Sequence, residues 1–142
     1  MRIEEEITEK EKEEEEKKAM DLREFYVEAR NMLNDEQREV LERVRKLMDK
    51  KEEKRTLFLQ GEAGTGKTFL YKVITAMVKA EFNEDVIQTA TTGIAATLLY
   101  DGTTMHRRFK IPLQCNEDSQ LTLLEYKREA EAVKKAQIII ID

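Results

Sequence analysis

The sequence predicts an α/β fold built around a parallel sheet. Short apolar segments typical of buried strands alternate with longer segments whose apolar residues recur every three to four positions, as on one face of a helix. A glycine-rich loop separates the first strand-like segment from the helix-like segment that follows it. Because strands that alternate with helices form parallel sheets covered by helices, this pattern argues against an all-helical or an all-β domain.

The N-terminal 30 residues carry the net charge of the chain. They hold twelve acids and seven bases, a balance of −5, whereas the remaining 112 residues hold eighteen of each. Residues 1–20 are mostly Glu and Lys and can bury little apolar surface. We therefore expect an acidic arm over residues 1–30, helical or disordered, before a domain over residues 31–142. From Leu22 a helical face is predicted that continues past the arm, formed by Leu22, Phe25, Tyr26, Ala29 and Met32.

Three strands are predicted, near residues 56–60, 86–90 and 138–142. The last contains four consecutive isoleucines and ends at Asp142, so it is a fully apolar strand with an acid at its tip.

Helices are predicted around these strands. One begins at Asn34, a favoured N-cap, with Gln37 three residues later in the position that completes a capping box. A polar connection over 50–55 follows it. Another helix follows the glycine-rich loop directly, and two more occupy 93–100 and 121–136. In the last of these, four residues are expected to face inward: Leu123, Leu124, Ala130 and Val133. Residues 101–120 are expected to be irregular.

The glycine-rich loop matches the pattern G-x-x-x-x-G-K-[ST] at every fixed position. Its glycines let the backbone turn tightly and present N–H groups to phosphate oxygens, and the next helix directs its positive end to the same place. Lys67 can reach the β- and γ-phosphates, and the Thr68 hydroxyl can bind Mg²⁺. The motif and its context favour a nucleoside triphosphate site over a plain glycine turn. Its residues are Gly61, Glu62, Ala63, Gly64, Thr65, Gly66, Lys67 and Thr68.

Two further residues are candidates for the same site. Asp142 follows a strand at the end where open α/β sheets bind their ligands, so it is predicted to contact Mg²⁺, usually through water. The alternative is a surface aspartate that ends the strand. Gln37 carries an amide that can both donate to and accept from an adenine edge. Spacing alone favours its role in the capping box.

A small polar and basic cluster surrounds His106, the only histidine. Such side chains suit contacts with the phosphates or bases of a single strand, and Phe109 offers a face for stacking. Spacing alone nevertheless favours a solvated loop, and a buried anchor is an equal alternative for Phe109. The chain has no overall basic excess that would indicate nucleic acid. The neighbours of His106 in the cluster are Thr103, Thr104, Arg107 and Arg108.

Composition also bears on location. No apolar run approaches the ~20 residues of a membrane span, and the first residues lack the apolar stretch of a secretory signal, so an intracellular site is expected. Cys115 is the single cysteine and cannot form an internal disulfide, which fits a reducing compartment.

These motifs together resemble the PIF-type DNA helicases of superfamily one, including the helicase regions of Helitron transposons. The resemblance runs from about Leu33 to Asp142. The segment Leu33–Gln37 resembles the family's adenine-contacting Q motif, and Ile138–Asp142 is similar to the start of its Asp-Glu box. The long block 90–113 resembles its first DNA-contacting block and is the most specific part besides the loop.

The resemblance implies a RecA-like P-loop NTPase fold of three layers, truncated after the Asp-box strand, and ATP-dependent 5′-to-3′ unwinding of DNA. ATP and Mg²⁺ would be the cofactors, single-stranded DNA the partner, and Lys67 and Asp142 the catalytic residues. It further implies work in DNA repair, recombination and telomere maintenance, in the nucleus or mitochondrion. The residues implied to contact DNA are Thr92, His106 and Phe109.

The chain also departs from the family pattern. The family has a general-base Glu directly after the position of Asp142, and its arginine finger and second motor domain have no counterpart here. A catalytically inactive ATP- or DNA-binding remnant, or a truncated gene model, is therefore one alternative. A P-loop kinase is another, although the block 90–113 argues against it. In the family a later strand separates the loop strand from the Asp-box strand, so we expect no ladder between Leu57–Leu59 and Ile139–Ile141.

Overall fold

The computed structural model describes residues 8–49, 55–62 and 64–142, and the expectations for residues 1–7, 50–54 and Ala63 lie outside that range. Helices and a small parallel sheet alternate along these residues, as the sequence predicts. The elements are α1 (Glu9–Ala29), α2 (Asp35–Met48), α3 (Lys67–Met77), a π-helical turn (Val78–Phe82), β1 (Asp85–Ala90), α4 (Gly93–Thr97), β2 (Thr103–Thr104), α5 (Met105–Phe109), a 3₁₀ turn (Leu123–Glu125), α6 (Lys127–Lys135) and β3 (Ala136–Ile141).

Helix α1 has a solvated first half and a buried second half. A capping box between Thr8 and Glu11 starts it, and the Glu- and Lys-rich turns that follow are largely exposed. Leu22, Tyr26 and Ala29 are buried in the same apolar cluster as α3, so the end of this helix is part of the core. Met32 does not extend that face, because the helix ends at Ala29 and the Met32 side chain is 71% exposed.

Helix α2 begins at the predicted capping box. The Asn34 side chain accepts a hydrogen bond from the Gln37 backbone at 2.9 Å, and the Gln37 side chain accepts one from the Asn34 backbone at 3.0 Å. Only Leu41 and Val44 of this helix are fully buried, so α2 lies on the core by a narrow apolar strip.

In the part of the chain that the structure describes, the sheet has three parallel strands in the order β2-β1-β3. Strand β1 is central, and its residues Val86–Thr89 pair with Ile138–Ile141 of β3. The predicted strand at 56–60 is wrong: residues 55–62 form no strand, and Phe58 is 84% exposed. Strand β1 is paired on both sides, and this segment joins neither outer edge of the sheet, so no ladder satisfies its backbone groups. As expected, Leu57–Leu59 does not pair with Ile139–Ile141.

Strand β3 lies at an edge and is covered on one face only. Ile138 and Ile140 pack against the two apolar clusters, whereas Ile139 and Ile141 are 41% and 57% exposed. The predicted strand is therefore formed, with alternate residues covered by the core.

The region 101–120 is more regular than predicted. It contains β2, which pairs Thr103 and Thr104 with the end of β1, and the short helix α5. The Thr104 hydroxyl caps α5 by accepting a hydrogen bond from the Arg107 backbone at 3.2 Å. Helices α4 and α6 are shorter than predicted. In the segment before α6, Leu124 points to solvent rather than inward, whereas Ala130 within α6 is buried as expected.

Within residues 8–49, 55–62 and 64–142, no helix combines the length and apolar composition needed to cross a membrane.

Candidate nucleotide site

The loop over 61–68 turns tightly on its glycines. Gly66 has φ +81° and is the N-cap of α3, a backbone conformation that side chains with a Cβ disfavour. The hydroxyl and backbone N–H of Thr65 both donate to the Glu62 carbonyl, at 2.8 and 3.3 Å. A Cβ on Gly61 would come within 2.9 Å of the Thr65 hydroxyl, so the loop closes on itself. The Ala63 expectation lies outside the described residues.

Lys67 folds back over this loop. Its Nζ atom donates to the Gly61 carbonyl at 2.6 Å, so the ammonium group is held above the turn. Lys67 is also the first residue of α3, whose N-cap glycine has no side chain to bond the first N–H groups, and whose first turn contains no acid. A cation and the positive end of an eleven-residue helix therefore meet at the loop, an arrangement that suits a phosphate.

Gln37 lies beside the same loop. Its Nε2 atom is 2.8 Å from the position that a Cβ on Gly66 would occupy. Its Oε1 atom accepts the capping hydrogen bond from Asn34. The carbonyl oxygen keeps a second lone pair, so capping and contact with a base are compatible for one side chain.

Asp142 is attached to both the sheet and α3. Its backbone continues the ladder beyond β3, with its N–H donating to Thr89 at 2.8 Å and its carbonyl accepting from Thr91 at 3.2 Å. Its carboxylate accepts a hydrogen bond from the hydroxyl of Tyr71, at 3.3 Å. Tyr71 lies one turn after Lys67 on α3, so this contact ties the predicted metal ligand to the helix that begins at the loop.

Tyr71 was missed from the sequence because it occurs within the apolar face of a helix. The side chain is buried, and only the tertiary structure shows that its hydroxyl reaches a carboxylate. Burial raises the pKa of Tyr71 above its ordinary value, and the charge of Asp142 and the hydrogen bond to it raise the pKa further. The hydroxyl thus stays protonated and donates at neutral pH.

A metal at this site would depend on the nucleotide. Thr68 and Asp142 are both exposed. No group of three or more acidic, His or Cys side chains suited to a metal occurs in the part of the chain that the structure describes. This sparse donor set fits Mg²⁺, which keeps several waters and is usually held by one or two protein ligands together with substrate phosphates.

The DNA candidates follow the ends of neighbouring strands. Thr92 comes two residues after β1 and caps α4, accepting a hydrogen bond from the Ala95 backbone at 3.2 Å. His106 and Phe109 lie in α5, directly after β2, and both are half-buried outside the two apolar clusters. Because β1, β2 and β3 are parallel, their carboxyl ends lie at the same end of the sheet. These residues and Asp142 all follow those strand ends.

Residues 32–142 match the family model of the PIF1-like helicases. The chain belongs to the PIF1-like helicase family. Two relatives from Trypanosoma brucei brucei are similar to it: ATP-dependent DNA helicase PIF4, 34% identical over 92 residues, and ATP-dependent DNA helicase PIF3, 36% identical over 88 residues. Each alignment covers 61% of this chain but only 11% and 10% of the relatives, so this PIF1-like chain spans about a tenth of their length.

Membership of the PIF1-like helicases also accounts for the fold. The three parallel strands and the helices around them form a part of the RecA-like α/β domain of a helicase motor.

Proposed function

We propose that these residues form the nucleotide-binding part of an ATP-dependent DNA helicase motor. The observation that carries the proposal is the bond between Lys67 Nζ and the Gly61 carbonyl, within a loop that leads directly into the N-terminus of α3. When ATP binds, its phosphate oxygens would replace that carbonyl as the partner of the ammonium group. The exchange is favourable because a phosphate oxygen carries negative charge that attracts the ammonium group, whereas the Gly61 carbonyl is neutral.

Around the loop, the other residues have distinct roles in this proposal. Thr68 and Asp142 hold Mg²⁺ together with the phosphates, and Gln37 reads the adenine edge. The strand-end residues Thr92, His106 and Phe109 contact single-stranded DNA. The motor as a whole would move 5′ to 3′, in DNA repair, recombination and telomere maintenance, in the nucleus or mitochondrion. We assign residues 31–142 to the motor and residues 1–30 to the acidic arm.

Calorimetric titration with Mg²⁺ and ATP tests the nucleotide part. Replacing Lys67 by Ala removes the cation above the loop, and we expect most of the binding to disappear. Lys12→Ala is the matched control, because Lys12 lies in the exposed first half of α1, where it forms a salt bridge with Glu9. Equal affinity of the Lys67→Ala variant and the unmodified chain would contradict the proposal.

Fluorescence anisotropy with a labelled oligothymidine tests the DNA part. We expect Phe109→Ala and His106→Ala to weaken binding, each by roughly tenfold, since loss of one stacked base contact costs about 1–3 kcal/mol. Leu124→Ala is the control, because Leu124 is an exposed apolar residue that lies outside the block 90–113. If both strand-end variants bind as tightly as the control, the DNA contacts lie elsewhere.

A further inference from the structure

Away from the loop, three side chains from three elements form a compact polar cluster. Glu81 in the π-helical turn accepts hydrogen bonds from Arg45 of α2, at 3.1 Å from Nε and 2.9 Å from Nη2. It also accepts one from the hydroxyl of Tyr26 of α1, at 2.8 Å. The Arg45 Nη2 atom reaches the same hydroxyl at 3.1 Å, which closes the cluster. We call these residues, Tyr26, Arg45 and Glu81, the clamp.

The clamp is shielded from water more than an ordinary surface ion pair. Tyr26 is buried in the main apolar cluster, and the side chains of Arg45 and Glu81 are 25% and 35% exposed. Arg45 presents two guanidinium nitrogens to one carboxylate, the geometry in which such pairs are most directional. The clamp therefore constrains orientation as well as contact.

Its position determines where the clamp can act. Helix α2 carries Gln37 at its start, beside Gly66, and Arg45 about two turns later. Glu81 lies in the turn that continues α3, whose own start is the loop residue Lys67. The contact of Gln37 with Gly66 and the clamp thus lie roughly 12 Å apart along α2, given the rise of a helix. The apolar contacts of α2 form one strip, in which Leu41 and Val44 are buried and Val40 and Met48 are half-buried, and the clamp adds a directional polar contact beside that strip.

We propose that Arg45 and Glu81 are positioning residues that hold α2 so that Gln37 reads the adenine base. This inference rests on the proposed nucleotide site and adds to it a determinant of base preference remote from the ligand. Because Tyr26 belongs to α1, the clamp also holds that helix. The charged helix before the motor thereby contributes to the position of Gln37 and to recognition of the base.

The experiment compares ligands with and without a readable base. Affinities for ATP, GTP and inorganic tripolyphosphate are measured by calorimetry for the unmodified chain and for Gln37→Ala, Arg45→Met and Glu81→Gln. Arg38→Met is the matched control, because Arg38 lies on the same helix in an exposed pair with Asp35. Met retains the apolar stem of arginine while removing its hydrogen bonds, and Gln retains the shape of glutamate.

The unmodified chain is expected to prefer ATP over GTP by on the order of tenfold, the size of a good amide–base contact. Arg45→Met and Glu81→Gln should lose this preference as Gln37→Ala does, while tripolyphosphate affinity stays within about twofold. The double variant Gln37→Ala/Arg45→Met should lose no more of the ATP preference than either single variant, since the effects of residues that act as one unit are not additive.

Three results would overturn the inference. One is a clamp variant that keeps the full ATP preference when Gln37→Ala has lost it. Another is a proportional loss of tripolyphosphate affinity, which would mean a general structural role. The third is an unmodified chain without base preference. Failure of the unmodified chain to bind even tripolyphosphate would instead refute the proposed nucleotide site itself.

A second measurement covers the case in which Arg45→Met does not fold. The side-chain amide NMR signal of Gln37 reports its surroundings without any ligand. We expect this signal to shift in Glu81→Gln and to stay in place in Arg38→Met. An unchanged signal in folded Glu81→Gln would show that the clamp does not position Gln37.

Discussion

The amide nitrogen of Gln37 lies against Gly66, 2.8 Å from the point that a Cβ on Gly66 would occupy. This contact joins the start of α2 to the last turn of the loop, directly before α3. Glycine is required there for two separate reasons, because the backbone has a positive φ and because the side chain of Gln37 fills the space beside it.

Gly66→Ala should therefore impair both folding and nucleotide binding. The left-handed backbone alone costs an alanine about 1–2 kcal/mol, and the contact with Gln37 must also open. Urea unfolding and ATP titration measure the two effects. Gly93→Ala is the control, since no heavy atom lies within 4 Å of its added Cβ and its φ is not positive. Unchanged stability of Gly66→Ala would show that the loop can accommodate a Cβ at this position, contrary to the prediction.

Tyr71→Phe should weaken ATP binding mainly when Mg²⁺ is present. The change removes the hydroxyl that donates to the Asp142 carboxylate and costs about 0.5–1.5 kcal/mol of stability. Titrations with and without Mg²⁺ separate the metal effect from the loss of stability. Tyr100→Phe serves as the control, because no hydrogen bond of the Tyr100 hydroxyl is found among the described residues. The same loss of affinity with and without metal would contradict a role through Asp142.

Stability should fall in acid as Glu81 is protonated. Burial alone would raise the pKa of Glu81, but hydrogen bonds from Arg45 and Tyr26 and the nearby arginine charges outweigh it and lower the pKa below the ordinary 4.5. A lowered folded-state pKa means that this stabilisation is complete above the ordinary value and disappears as the pH falls through the folded value. Urea unfolding at a series of pH values should show a smaller acid loss for Glu81→Gln. An identical pH profile would show that Glu81 contributes nothing to it.

The exposed face of β3 should promote self-association of the isolated chain. A free edge strand with Ile139 and Ile141 partly exposed offers both backbone groups and apolar surface to another strand. Ile139→Lys should reduce association with little effect on stability. Ile140→Lys, which places a charge against the second apolar cluster, should cost about 2–4 kcal/mol. Light scattering measures the association and urea unfolding the stability of the two variants. Equal association and equal stability would contradict the alternation of exposed and packed isoleucines along β3.

The purified 142-residue polypeptide should show ATPase activity near background and no unwinding. Hydrolysis needs a general base and stabilisation of the transferred phosphoryl group, and an arginine finger alone is typically worth ~10³–10⁵ in rate. Neither the family's base nor its arginine finger has a counterpart among these residues. A coupled phosphate-release assay with and without single-stranded DNA provides the measurement. Robust stimulation by DNA would refute the prediction.

Local signals in the sequence were sufficient for the start of α2 and for the loop motif. Asn34 and Gln37 specify their capping box by residue type and spacing alone, and the structure forms it. The motif around Lys67 likewise predicted a loop followed by a helix, and α3 begins at that residue. These features depend on neighbours within a few positions, so no distant contact is needed to determine them.

Pairing between distant segments could not be determined in this way. The segment 56–60 has the composition of a strand yet forms none, whereas Thr103–Thr104 forms β2 despite its brevity. A strand exists only where a partner supplies hydrogen bonds to its backbone, and the partner is chosen by the whole fold. The same reason applies to Gln37 beside Gly66, to Tyr71 on Asp142 and to the clamp of Tyr26, Arg45 and Glu81. The sequence by itself determined the residues of the loop and their local geometry, while only the tertiary structure decided which distant side chains surround it.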